Sequence, residues 1–232
     1  LKVPHADQLD RDALALIHKE VRLTARLEHE NILPLRNAMM IDGYFVIATP
    51  LGEQTLTDRL RYRLGAKTAL SYTSQLLDAL AYAHEGRIIH CDIKPDNVIL
   101  FPRGQVRLAD FGIARVALRT RTMIGSGQGT VGYIAPEQAL GKVSFRSDVF
   151  SMGLLIYRMF AGALPEWPFD WPPPGNDRLR RTVSRDFTAF LRRSIEVRER
   201  RRFKDGVQMY RAFLEVEHKA LRSGARRKRG AS

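Results

Sequence analysis

HCDIKPDN, residues 90–97, lies on a polar loop between two short apolar runs and sets the carboxylate of Asp92 five residues before the amide of Asn97. Thirteen residues after Asn97 comes Asp110, which opens DFG. A carboxylate such as Asp92 can accept the proton of a hydroxyl. An amide and a second carboxylate nearby supply the hard oxygen atoms that a magnesium ion prefers. Magnesium-assisted phosphoryl transfer requires this combination, because its catalysis rests on positioning and charge neutralisation.

Outward from this loop, RIIH, NVIL and VRLA are short apolar runs, with the turn sequence PRGQ between the last two, and short strands are expected there. Upstream, PLRNAMM and YFVIAT flank Asp42 and Gly43, which predicts a hairpin. Helices are expected from Leu9 to Leu27, where Leu14, Ile17 and Val21 recur at helical spacing, from Thr55 to about Tyr62, and from Lys67 to about His84. Downstream, DVFSMGLLIYRMFAG reads as a helix, ALPEWPFDWPPPG interrupts, and two further helices run to about Leu221. The interruption is expected to be an ordered connection that packs Trp167, Phe169 and Trp171 on their own domain.

The 232 residues hold 44% apolar and 27% charged side chains, ordinary for a globular chain and unlike collagen, mucin or disordered sequence. Cys91 is the one cysteine, so neither an internal disulfide nor a cysteine zinc cage can form. The longest apolar stretch, residues 150–164, carries Arg158 in its middle and is too short for a membrane span. LKVPH does not open like a signal peptide, and the chain reads as a fragment. The net charge is +13, and residues 176–232, with 18 basic and 7 acidic residues, carry +11 of it. A weak contact with polyanions or a membrane surface is expected of the basic end, without specific nucleic-acid binding, since no recognition motif accompanies the charge.

APE, residues 135–137, follows GTVGYI. With HCDIKPDN, DFG and APE in this order, the chain resembles the protein kinase family, specifically serine/threonine kinases of bacterial type, over essentially its whole length. The resemblance implies an α+β, two-lobed fold. Residues 1–50 would form a partial small lobe ending in the hinge, residues 51–222 a mainly helical large lobe, and residues 223–232 a basic tail.

By the same resemblance, Asp92 matches the family's catalytic aspartate, Lys94 the lysine that offsets charge on the transferring phosphate, and Asn97 and Asp110 the two magnesium ligands. Lys94 also favours a serine/threonine enzyme. Thr130 resembles the threonine of the substrate loop, Glu137 and Arg202 a buried ion pair, and Asp148 the helix-start aspartate that braces the catalytic loop. Lys2 and Glu20 would clamp the nucleotide's α- and β-phosphates. The hinge backbone over residues 48–51, including Ala48 and Thr49, would face adenine, with Ile47 behind it. The cofactors implied are ATP and magnesium, the substrate is a protein serine or threonine, and the place is the cytoplasm, in signalling.

Three features depart from the family pattern. Its glycine-rich phosphate loop would lie upstream of Lys2, and GQGTVGYI, which formally fits GxGxxG, falls after DFG and serves the activation segment instead. Cys91 stands where the family has an arginine that meets activation-loop phosphate, so that mode of control is not expected. The chain closes on ARRKRGAS, a basic stretch of the kind that precedes a membrane span in anchored bacterial kinases. The alternative function is a pseudokinase or scaffold, which a phosphotransfer assay with labelled ATP separates. Small-molecule kinases share the HxDxxxxN loop, and APE, Thr130 and Arg202 favour a protein substrate over theirs.

Overall fold

The computed structural model describes Val21, Ala25 and residues 27–41, 44–111 and 131–221. Strands come early in the chain. β1 (Asn37–Ile41) and β2 (Tyr44–Ala48) form an antiparallel hairpin in continuous register, from Asn37 opposite Ala48 to Ile41 opposite Tyr44. The two intervening residues, Asp42 and Gly43, are the dipeptide type whose twist suits a tight hairpin. A second antiparallel sheet runs in the order β3 (Gln54–Thr55), β4 (Val98–Phe101), β5 (Gln105–Leu108). Alternation along β4 and β5 buries Val98, Leu100, Val106 and Leu108, so the sheet has one apolar face. Between β4 and β5 the chain turns through Arg103 and Gly104, both at positive φ (64° and 75°).

Helices form the rest. The short α1 (Leu56–Arg59) starts at Thr55, whose hydroxyl caps Asp58 N–H in a reciprocal capping box. α2 (Ala66–Glu85) buries Ala69, Thr73, Leu76, Leu80 and Ala83, spaced by three or four residues along one stripe. After the turn through α3 (Pro136–Ala139), α4 (Phe145–Ala161) begins in a second capping box at Ser144 and is buried on almost every side. Arg158 is its one partly exposed residue beyond the first turn, so α4 is the central post of the core. Around it lie α2, α5 (Asn176–Thr182), α6 (Arg185–Ser194) and α7 (Gly206–Glu217). None of the described helices is long and apolar enough to cross a membrane.

Three local expectations change. RIIH makes no strand: Arg87 turns the chain at φ 59°, and the backbone N–H of His90 goes to a carboxylate on α4 instead of a neighbouring strand. The helix expected from Thr55 to Tyr62 stops at Arg59. The last part of the chain holds three helices, because the segment after Gly175 already forms α5. The Trp/Pro connection is ordered, with Phe169 edge-on to Phe150 at 5.1 Å and Trp171 edge-on to Tyr157 at 6.3 Å. Trp167, by contrast, is 69% exposed.

Candidate active site

The loop between α2 and β4 is built by side chains that take up its backbone groups. Asp148, on the first turn of α4, is 1% exposed and accepts His90 N–H on Oδ2 (2.6 Å) and Cys91 N–H on Oδ1 (2.8 Å). A third bond to its Oδ2 comes from His84 Nε2 at 3.0 Å. His84 Nδ1 accepts the N–H of Gly206 at 2.7 Å, so the ring proton sits on Nε2 and points at Asp148. Two helices thus reach the loop through one carboxylate.

His90 ties the loop to the strand end that carries Asp110. Its Nδ1 accepts Asp92 N–H (3.2 Å) and its Nε2 donates to Ala109 O (2.9 Å), while the ring lies 4.6 Å from that of Phe111. Complete burial lowers the His90 pKa against the pull of Asp148 and Asp92, which keeps the imidazole in the neutral form these two bonds require. Ala109 N–H in turn donates to Asn97 O at 2.8 Å. Asp110 follows at φ 64°, a left-handed conformation that redirects the chain immediately after β5.

Three of the residues singled out in the sequence meet at one atom. Asn97 Nδ2 donates to Asp92 Oδ2 at 2.9 Å and to Asp92 O at 2.8 Å, and Lys94 Nζ lies 2.8 Å from the same Oδ2. The Asp92 and Lys94 side chains stay partly open to solvent, at 34% and 24% exposure. Because the Asn97 nitrogen is committed twice to Asp92, its Oδ1 faces away and is the atom able to meet a cation. With the Asp110 carboxylate it would supply two hard oxygens of the kind magnesium takes, since that ion needs few protein ligands and completes its shell with water and phosphate. Among the described residues no three His, Cys, Asp or Glu side chains are grouped so as to hold a metal ion, so a closed all-protein metal cage is not formed among them.

Glu137 and Arg202 pair as expected. The guanidinium gives Nη1 to Glu137 Oε1 (2.8 Å) and Nη2 to Oε2 (2.9 Å), and its other three N–H groups go to the carbonyls of Glu196, Arg146 and Val197. Its plane also covers Phe150 at 4.5 Å. Burial alone would raise the Glu137 carboxyl, but the Arg202 and Ser147 hydrogen bonds outweigh it and hold the pKa below the usual range.

At the hinge, Ile47 is 3% exposed. The Ala48 carbonyl already accepts Arg36 N–H at 2.8 Å, and Pro50 has no N–H. Of the hinge residues expected from the sequence, Thr49 and Leu51 keep a backbone N–H on either side of Pro50. Lys2, Glu20, Thr130 and the basic tail lie outside the described residues.

Sequence reasoning missed His84, Gln138 and Gln75. Gln75 Oε1 accepts from Asn31 Nδ2 (2.8 Å) and Val106 N (2.9 Å), joining the segment before β1 to β5. Only Gln138 had a signal, its place directly after APE.

The protein kinase domain family matches residues 1–205, and the chain belongs to that family. Among individual proteins, it is similar to serine/threonine-protein kinase PrkC of Bacillus subtilis, at 30% identity over 161 residues, 67% of this chain and 25% of PrkC. Serine/threonine-protein kinase PknA of Mycobacterium tuberculosis is 36% identical over 166 residues, 67% of this chain and 38% of PknA. Aurora kinase C of Mus musculus is 32% identical over 172 residues, 71% of this chain and 61% of that kinase. The matches thus span less than two thirds of each of these relatives.

Proposed function

We propose that this chain carries the catalytic core of a serine/threonine protein kinase, which transfers the γ-phosphate of ATP to a protein hydroxyl. The observation that carries this reading is the convergence of Lys94 Nζ and Asn97 Nδ2 on Asp92 Oδ2. Among the described residues nothing donates to Oδ1, so that oxygen is left to orient a substrate hydroxyl and take its proton as the new O–P bond forms. Lys94, already beside this carboxylate, offsets charge on the moving phosphoryl group. Asp110 and Asn97 Oδ1 would hold magnesium, which when bound neutralises charge on the phosphates. Lys2 and Glu20 would clamp the inner phosphates, with Thr49 and Leu51 at adenine. Lys94, and relatives named as serine/threonine kinases, support serine or threonine as acceptor. ATP as donor and a sequence with one cysteine, which can form no internal disulfide, support the cytoplasm as the place of reaction.

The test is phosphotransfer from labelled ATP by the full-length protein. Asp92→Asn is expected to abolish transfer with an unchanged circular dichroism spectrum, and Asp110→Asn to remove magnesium-dependent nucleotide binding. Wild-type turnover by Asp92→Asn would sink the mechanism, and a wild-type protein that binds ATP without transfer would establish the scaffold instead.

A further inference from the structure

The peptide plane between Cys91 and Asp92 is gripped at both edges. Its N–H, that of Asp92, donates to His90 Nδ1 at 3.2 Å, and its carbonyl, that of Cys91, accepts from Gln138 Nε2 at 2.6 Å. Cys91 itself sits at φ 69°, a left-handed conformation that a side-chain-bearing residue keeps only when its surroundings hold it there. Asp148 Oδ1 holds its N–H at 2.8 Å, so two side chains from separate helices, α3 and α4, fix the residue just before Asp92.

Gln138 does not stand alone on α3. Its neighbour Glu137 is locked by the Arg202 fork and by Ser147 Oγ at 2.8 Å. A shift of α3 would therefore strain the Glu137 anchor on one side and pull on the Cys91 carbonyl on the other. The amide of Gln138 thus links α3 directly to the backbone of the 90–97 loop.

We propose that Gln138 is a positioning residue, which couples the placement of α3 to the orientation of the Asp92 carboxylate through the Cys91 carbonyl. The inference rests on the phosphotransfer reading of Asp92, and the test separates the two.

In the full-length protein, compare wild type with Gln138→Met, which keeps the length of the side chain and loses the donor, and with Gln138→Glu, whose carboxylate would face the Cys91 carbonyl. The expected result is a kcat at least about tenfold lower for Gln138→Met and lower still for Gln138→Glu, a KM for ATP within about twofold of wild type, and nearly unchanged melting temperatures. A tenfold loss corresponds to about 1.4 kcal/mol in the barrier. Wild-type kcat in Gln138→Met overturns the proposal, as does a loss in which kcat, KM and melting temperature move together, since that marks a merely structural role. Should wild type transfer no phosphate to any acceptor, the kinase reading fails, and amide hydrogen exchange across residues 90–97 decides the coupling. Faster exchange in Gln138→Met supports it, and equal rates overturn it.

Discussion

Arg202 spends all five of its N–H donors on one carboxylate and three carbonyls, and a lysine has neither the planar fork nor the number of donors to replace it. Arg202→Met would leave the Glu137 carboxylate and the three carbonyls without these partners, in a site where Glu137 is only 12% exposed. The expected cost is about 3–5 kcal/mol, read from the midpoint of urea unfolding. Acid should act at two residues in turn. His90 is held neutral in the fold, so the unfolded chain takes up a proton first, and stability that is full above about pH 6.5 falls as the pH drops from there. The slope from one such group cannot exceed about 1.4 kcal/mol per pH unit. Glu137 has a depressed pKa, so its contribution is full above the ordinary carboxyl value of about 4.3 and is lost as the pH falls through the lower folded value. Urea unfolding at pH 7.5, 6.5 and 5.5 checks the upper limb. A His90→Asn variant, though less stable throughout, should lose that slope.

At the scale of elements, the 90–97 loop depends on how closely α7 meets α2. A Cβ on Gly206 would stand 2.9 Å from the backbone oxygen of Leu80, well inside contact distance, and the same residue supplies the N–H that sets the His84 ring. Gly206→Ala is therefore expected to destabilise by about 1–3 kcal/mol through overpacking. It should also slow phosphotransfer, because the backbone shift that relieves the clash would draw the residue's N–H away from His84 Nδ1, the bond that aims the ring at Asp148. Gly65 offers the opposite sign. It caps α2 with extended backbone (φ −71°, ψ 144°) and no side-chain bond, and its nearest neighbour to an added Cβ is 3.8 Å away. Gly65→Ser should raise stability by about 0.5 kcal/mol, through a capping hydroxyl and a less flexible unfolded chain. Thermal unfolding of the two variants side by side tests both signs.

Across the whole molecule the charge is lopsided, with +11 of the net +13 falling in residues 176–232. We expect weak binding to anionic vesicles or DNA without sequence preference, falling steeply as salt rises, and weaker still without residues 226–229. Binding that ignores salt would remove the electrostatic account. The sequence alone determined the family, the order of the site residues and most helices. Asp92, Lys94, Asn97 and Asp110 share short loops and a fixed spacing, and the stripe in α2 follows from its period of three and four. The Glu137–Arg202 pair was legible too, through the family pattern, although 65 residues separate its partners. Tertiary structure alone decided which groups hold the loop. His84 and Gln75 look like ordinary helix-face residues, RIIH looks like a strand, and Gln138 is marked only by its place directly after APE. Their roles come from long-range hydrogen bonds, such as Gly206 to His84 across 122 residues, which no local period or spacing encodes. A buried backbone N–H or carbonyl takes whichever partner the packing brings within reach, and that choice is made only once the helices have closed around α4.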